Sequence, residues 1–261
     1  MKSAINKIQE KHYINAKKRL LKMHFESKTG HLGSNLSCFD FLYVLYNFII
    51  TKGDTFILSK GHSAGALYSA LWSVGLISED DINSFCKDGS IFAAHPSSLK
   101  IPGVIFPTGS LGHGFSLASG VAYAEKLKNS NKKIYCLCSD GEWQEGACWE
   151  ALIFSTSNDL SNLIVIIDEN NLQGFGRTKE IVGYQSIKER IEQFGINVFS
   201  IDGHNLNQIL NIPNLISADN YKPTVVILKT IKGKGMFSEN EVRSHYLPLS
   251  EDEYNHLIHN L

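Results

Sequence analysis

Between residues 4 and 27, apolar side chains fall at Ile5, Ile8, Tyr13, Ala16, Leu20, Leu21 and Phe25. That is the spacing of one helical face, and Gly30 supplies a stop. Residues 37–48 repeat the pattern through Phe41, Leu42, Leu45 and Tyr46, a β-prone run at 55–58 follows a Gly-Asp turn, and Gly61 and Gly65 open another helix. Three later runs, 134–138, 163–167 and 224–228, are short, continuously apolar and rich in β-branched residues. Strands covered by helices on both faces read this way. Residues 197–201 are a fourth candidate. Strands that alternate with helices predict an α/β fold with a doubly wound, mainly parallel sheet flanked by helices. Its crossovers are right-handed and its ligand site lies beyond the carboxyl ends of the strands. No linker rich in Pro, Gly or Ser, repeat or low-complexity tract interrupts the chain, so residues 1–261 read as one domain.

Composition changes this picture little. Hydrophobic residues make up 43% and charged residues 20%, and the net charge of -1 is spread over interleaved acids and bases. Neither nucleic acid nor an anionic membrane finds an electrostatic footprint here. Cys38, Cys86, Cys136, Cys138 and Cys148 are odd in number and form no CxxC pair, which argues for reduced thiols rather than a disulfide framework or zinc ribbon. No apolar core follows the basic N-terminal residues, and no long uncharged apolar run occurs, so a cytoplasmic location is expected.

The candidate chemistry sits at two strand ends. Ser139-Asp140-Gly141-Glu142 follows the strand at 134–138 and Asp168-Glu169-Asn170-Asn171-Leu172 follows the strand at 163–167, with Asp140 and Asn170 thirty positions apart. Residues 143–158 have room for a crossover helix whose first turn presents free N–H groups and a positive dipole end to an anion. A hard divalent cation takes oxygen ligands and keeps phosphate oxygens in its shell. Asp140, Asn170 and a backbone carbonyl near Leu172 supply such oxygens, and Gly141 permits close approach. Either pair alone, Asp-Gly or Asn-Asn, also reads as an ordinary turn. Their placement at neighbouring strand ends favours the metal.

The run 139–176 resembles the thiamine-diphosphate motif, which begins Gly-Asp-Gly and ends Asn-Asn; Ser139 stands where that family usually has Gly. The resemblance implies that Asp140, Asn170 and the Leu172 carbonyl hold Mg2+ (or Ca2+ or Mn2+). It also implies that Gly141 packs on the diphosphate and Glu145 joins a carboxylate network near a subunit interface. Other segments resemble transketolases in the same order: Thr29-Gly30-His31-Leu32-Gly33, Leu58-Ser59-Lys60-Gly61-His62, Ala94-His95-Pro96, Thr108-Gly109-Ser110-Leu111-Gly112-His113-Gly114, Lys229-Thr230-Ile231-Lys232-Gly233-Lys234-Gly235, and Ser244-His245. By this resemblance His31 and His95 lie near the thiazolium carbon and the sugar hydroxyls. His62 and His245 contact the diphosphate, His245 also reaches substrate, and Gly109, Ser110 and Leu111 bind cofactor. Imidazoles suit the work because ketose cleavage moves a hydroxyl proton and stabilises an oxyanion near neutral pH. His113 and His204 are read as structural, and His12, His24, His256 and His259 belong to no motif. A zinc hydrolase built on these histidines would need an HExxH or a close ligand pair, and neither occurs.

Transketolases carry a second, pyrimidine-binding domain that supplies an activating glutamate and the sugar-phosphate arginines, and nothing in these 261 residues offers one. The resemblance therefore implies the N-terminal subunit of a split transketolase. It would transfer a two-carbon ketol unit from a ketose or its phosphate to an aldose, with a separate pyrimidine-domain chain in an α2β2 assembly. Trp143, Trp149 and Phe154 suit either core or interface. Two alternatives stand beside this reading: the same cofactor half serving a deoxyxylulose-phosphate synthase-like condensation or a specialised sugar pathway, and a catalytically silent cofactor-binding subunit.

Overall fold

The computed structural model describes residues 7–183, 186–216 and 221–261, and the side chains from Glu10 onward. Ile5 and the Ile8 side chain of the first predicted helical face lie outside the described residues. The helix itself, α1 (Lys7–Ser27), buries Ala16, Leu20 and Leu21. The second helix, α2, runs over Leu32–Val44 and continues as a π-helical turn at Leu45–Ile49. It starts earlier than the periodicity predicts because its first two turns bury polar residues, Ser34, Asn35 and Ser37, which give no apolar signal.

Among the described residues five strands, β1 (Thr55–Leu58), β2 (Ile134–Ser139), β3 (Leu163–Glu169), β4 (Asn197–Asp202) and β5 (Thr224–Lys229), form one wholly parallel sheet in the order β1-β2-β3-β5-β4. All four predicted later strands are present, each reaching one or two residues farther. Alternate residues face two cores. Phe56, Leu58, Tyr135, Leu137, Ile164, Ile166, Val226 and Leu228 pack against α1, α2 and α3 (Ala64–Ser73). Ile57, Ile134, Cys136, Cys138, Val165, Ile167, Val225 and Ile227 pack on the other face. There they meet Phe115 and Ala118 of the helix His113–Leu127 and Cys148 and Leu152 of the helix Gly146–Ser157. β2 is buried at every position, the consequence of helices on both faces. β4 is the exposed edge.

The register places Ser139 opposite Asp168, so the turns after β2 and β3 leave the sheet side by side. The helix after β2 begins at Gly146, later than the sequence suggests, because Gly141–Gln144 forms a 3-10 turn first. Trp143 is fully buried in the core, whereas Phe154 is half exposed. All five cysteines are free thiols, and among the described residues no helix is long and apolar enough to cross a membrane.

One buried group of α1 makes the fold pH-sensitive. His24 is 2% exposed, its Nε2 has no partner, and Thr29 Oγ1 lies 3.3 Å from its Nδ1. Burial pushes its pKa down to about 4. The folded value lies below the unfolded one, so the neutral ring stabilises the fold fully above pH ~6.5, and that contribution disappears as pH falls toward 4. It amounts to about 3 kcal/mol. Urea midpoints taken from pH 7 to pH 4.5 should fall less for His24→Leu than for the wild type. Parallel curves would contradict the assignment.

Candidate functional site

Four histidines reach the sheet's carboxyl edge from four separate loops. His31 precedes α2 with φ 65°, a left-handed conformation that a non-glycine residue adopts only under tertiary constraint. Its N–H donates to the His245 carbonyl at 2.8 Å, and the buried Asn35 amide donates to the carbonyls of His31 (2.9 Å) and His62 (3.2 Å). These bonds draw the imidazoles together. The His31 ring centroid lies 4.7 Å from that of His245 and 5.7 Å from those of His62 and His95, with His62 and His245 5.5 Å apart. Burial lowers the pKa of all four, that of His62 with Lys60 adding to the effect and that of His245 to about 3 with Lys232 adding to it. At neutral pH the rings are uncharged, able both to accept and to donate a proton.

Opposite them stand the turns after β2 and β3. Asn171 N–H donates to Asp140 Oδ2 at 2.7 Å and the Thr178 hydroxyl reaches the same oxygen at 3.2 Å, which ties the two turns together. Asn170 accepts from Leu172 N–H at 3.1 Å, and the Lys232 ammonium donates to the Leu172 carbonyl at 2.9 Å. A Cβ on Gly141 would come within 2.8 Å of Gln173, so only glycine leaves this passage open. Gln173 in turn donates to Gln144 at 2.7 Å.

Between the histidines and these turns lies a cavity of about 270 Å3. Of the predicted residues, His31, His62, His95, Gly109, Leu111, Asp140, Gly141, Asn170, Leu172 and His245 line it. Ser110, exposed between two lining residues, does not; nor does Glu145, which is exposed with its Cβ against Gly112. The 3-10 turn Gly141–Gln144 lies between the cavity-lining Gly141 and the helix Gly146–Ser157, so the first turn of that helix starts farther from the cavity than the sequence suggests. Ser34, Gln173, Gly174, Phe175, Lys232 and Tyr246 line the cavity without having been singled out in the sequence. Lys232 lay within a matched motif, but spacing alone did not say which of its lysines turns inward.

A charged layer lies directly behind. Lys60, with its side chain wholly buried, forms an ion pair with the equally buried Asp168, which also accepts from Ser37 and Thr230. Glu142, also buried, accepts from Ser59, Gly112 N–H (2.7 Å) and Ser139 N–H (3.1 Å), joining the ends of β1 and β2 to the Gly112 loop.

The charges beside the cavity fit a cation and an anion bound together. Burial and the neighbouring Asp168 push Asp140 up to about 7, while burial and Lys60 push Lys232 down to about 8. The hydrogen bonds to Asp140 and the carboxylates near Lys232 offset only part of this. A divalent cation at Asp140 and an anionic ligand at Lys232 would relieve both. Asp140, Asn170 and the Leu172 carbonyl bring one negative charge and three oxygen donors, a set for a hard cation whose remaining charge and coordination positions an anion completes. Among the described residues no cluster of three or more His, Cys, Asp or Glu side chains forms a rival metal site. His31 Nδ1, buried and without a partner, belongs to a ring on the cavity wall. A larger cleft of about 700 Å3, lined by Glu10, Asp202, His204 and Lys234, contains no such orphaned group.

Comparison with known proteins agrees with this geometry. The family described as "Transketolase, thiamine diphosphate binding domain" matches residues 9–261. An apulose-4-phosphate transketolase subunit of Phocaeicola vulgatus is 35% identical over 252 residues, covering 93% of this chain and 89% of the relative. The 6-deoxy-6-sulfo-D-fructose transketolase subunit SqwG of a Clostridium species is 35% identical over 233 residues, covering 85% of each. Among solved structures, transketolase from Campylobacter jejuni superposes with a TM-score of 0.85 at 30% identity, over 98% of this chain and 43% of that one. Transketolase from Leishmania mexicana gives 0.87 at 25% identity, over 97% and 41%. The chain thus spans about two fifths of those transketolases and most of the two subunits.

Proposed function

The chain belongs to the transketolase thiamine-diphosphate-binding family, and from that premise we propose that it is the N-terminal subunit of a split transketolase. Residues 1–261 act as one cofactor-binding domain. A separate pyrimidine-domain chain completes the site in an α2β2 assembly, and the pair transfers a two-carbon ketol unit from a ketose or its phosphate to an aldose. The single observation that carries this reading is the cavity, where four uncharged imidazoles face an Asp140–Asn170–Leu172 oxygen set across about 270 Å3. Both relatives are named as transketolase subunits, one for apulose-4-phosphate and one for 6-deoxy-6-sulfo-D-fructose, which supports a divided enzyme. Five free thiols agree with a cytoplasmic setting.

Bound thiamine diphosphate supplies a nucleophilic carbon for breaking and making the bond beside a ketose carbonyl. The chain's own residues hold and orient it. Asp140, Asn170 and the Leu172 carbonyl take Mg2+, with Ca2+ or Mn2+ able to substitute. Gly141 leaves room for a diphosphate oxygen, and His62, His245, Ser34 and Lys232 offer donors to it. Gly109 and Leu111, with Ser110 exposed between them, bind cofactor beside the His95 ring, which lies against Gly109. His31, His95 and His245 exchange protons with the sugar hydroxyls, a task that their lowered pKa values suit because the rings are free bases at pH 7. Glu145, exposed just ahead of the helix Gly146–Ser157, faces the partner chain.

The test is reconstitution. The chain is co-purified with the pyrimidine-domain subunit of its own organism, given thiamine diphosphate and Mg2+, and assayed with a panel of ketoses, ketose phosphates and aldoses. Ketol transfer by the pair, and none by either chain alone, is the expected result. Inactivity across the panel would reject the reading.

A further inference from the structure

His204 lies on the far side of β5 from the cavity and touches nothing in it, yet it is built into the fold on both ring nitrogens. Its side chain is 6% exposed. Nδ1 is 2.7 Å from Asp40 Oδ2, and Asp40 Oδ1 accepts the Tyr13 hydroxyl at 2.5 Å. Nε2 is 3.0 Å from the Ile231 backbone nitrogen. A backbone N–H only donates, so Nε2 is the acceptor, the ring proton sits on Nδ1, and Asp40 receives it.

This bond falls where the sheet ends. The β4–β5 ladder pairs Asp202 with Lys229, and Gly203 N–H still donates to the Lys229 carbonyl at 2.9 Å. One step on, β4 has turned away, and the imidazole takes the place of the carbonyl that the next rung would have offered to Ile231. The chain is thereby held at Ile231, two residues past the end of β5. Thr230 then bonds through its N–H to the Glu169 carbonyl (3.2 Å) and through its hydroxyl to Asp168, and Lys232 sets its ammonium against the Leu172 carbonyl at 2.9 Å. Lys232 is 2% exposed, so its reach depends on where its backbone is held.

We propose that His204, oriented by Asp40 and Tyr13, is a positioning residue for the cofactor site: it extends β5 by a side-chain rung and so fixes Lys232 at the diphosphate. This rests on the reading of the cavity as a thiamine-diphosphate site.

Two measurements test it. Amide exchange on the chain alone needs no cofactor, and in His204→Ala the segment 229–235 should lose protection while β2 and β3 keep theirs. In the reconstituted pair, His204→Ala should weaken thiamine diphosphate binding in Mg2+ by about 10-fold, the usual effect of losing a support behind a ligand, with turnover at saturating cofactor nearly unchanged. The same change made in a Lys232→Met background should cost less than about 2-fold, because the two residues act through one contact. His204→Gln, whose Oε1 can accept the Ile231 N–H, should restore both protection and affinity, and it replaces the alanine variant should that one fail to fold. Unchanged affinity in His204→Ala, additive losses in the double variant, or a Gln variant as defective as alanine would each overturn the positioning role and leave the proposed function standing. A wild-type pair that bound no thiamine diphosphate would overturn both.

Discussion

Asp140→Ala is expected to abolish metal-dependent binding of thiamine diphosphate, weakening it by more than about 100-fold, beyond what loss of an outer support costs. Asp140 is 3% exposed and is the one carboxylate in the proposed donor set, so without it Mg2+ would meet only neutral oxygens. The alanine variant also cuts the ties to Asn171 N–H and Thr178, which confuses loss of charge with loss of shape. Asp140→Asn separates them, since its amide oxygen can still accept from Asn171 while the charge is gone. Calorimetric titration of thiamine diphosphate with Mg2+ and with EDTA should show the Asn variant folded and as weak as the Ala variant. Wild-type affinity in either would remove Asp140 from the metal site.

Lys60→Met should destabilise the fold by about 3–5 kcal/mol, the range for removing one partner of a buried ion pair. Both side chains are wholly buried. Burial opposes the charge on each, yet the mutual attraction, with Ser37 and Thr230 bonded to Asp168, keeps the Lys60 pKa raised and the Asp168 pKa lowered. With Lys60 gone, Asp168 would keep only neutral donors, the Ser37 and Thr230 hydroxyls and the Asn170 amide at 3.4 Å, with the acidic Asp140 nearby. Adding Asp168→Asn should recover a large part of the loss, because the penalty comes from the unpaired charge and not from the missing contact. Urea unfolding of the single and double variants measures this. A Lys60→Met loss below about 1 kcal/mol would mean that water or protonation relieves Asp168, and the charged layer behind the cavity would need a different reading.

The two predictions differ in what made them visible. Asp140 stood out in the sequence because a strand followed by Asp-Gly, paired with another followed by Asn-Asn, is a local pattern. Lys60 had no such signal, since its partner is 108 positions away and a lysine after Leu-Ser reads as a surface residue. Glu142 was passed over for the same reason, and Glu145, three positions on, drew notice through the motif although it lies at the surface.

The sequence by itself determined the elements of the sheet and the inventory of the site. Continuous apolar runs at 134–138, 163–167 and 224–228 could only be strands covered on both faces, and histidines and acids in loops between such elements collect at the carboxyl edge, because chain direction in a parallel sheet sends every strand's exit the same way. Local spacing records burial, and burial was enough for that. Only the tertiary structure decided that β5 lies between β3 and β4, that His31 is held in a left-handed turn by the His245 carbonyl, that a 3-10 turn precedes the Gly146–Ser157 helix, and that Lys60, Asp168, Lys232 and His204 are joined across the sheet. Each depends on contacts between residues far apart in the chain, where the free energy of a charge or of an open backbone group is set by whichever partner the fold brings beside it.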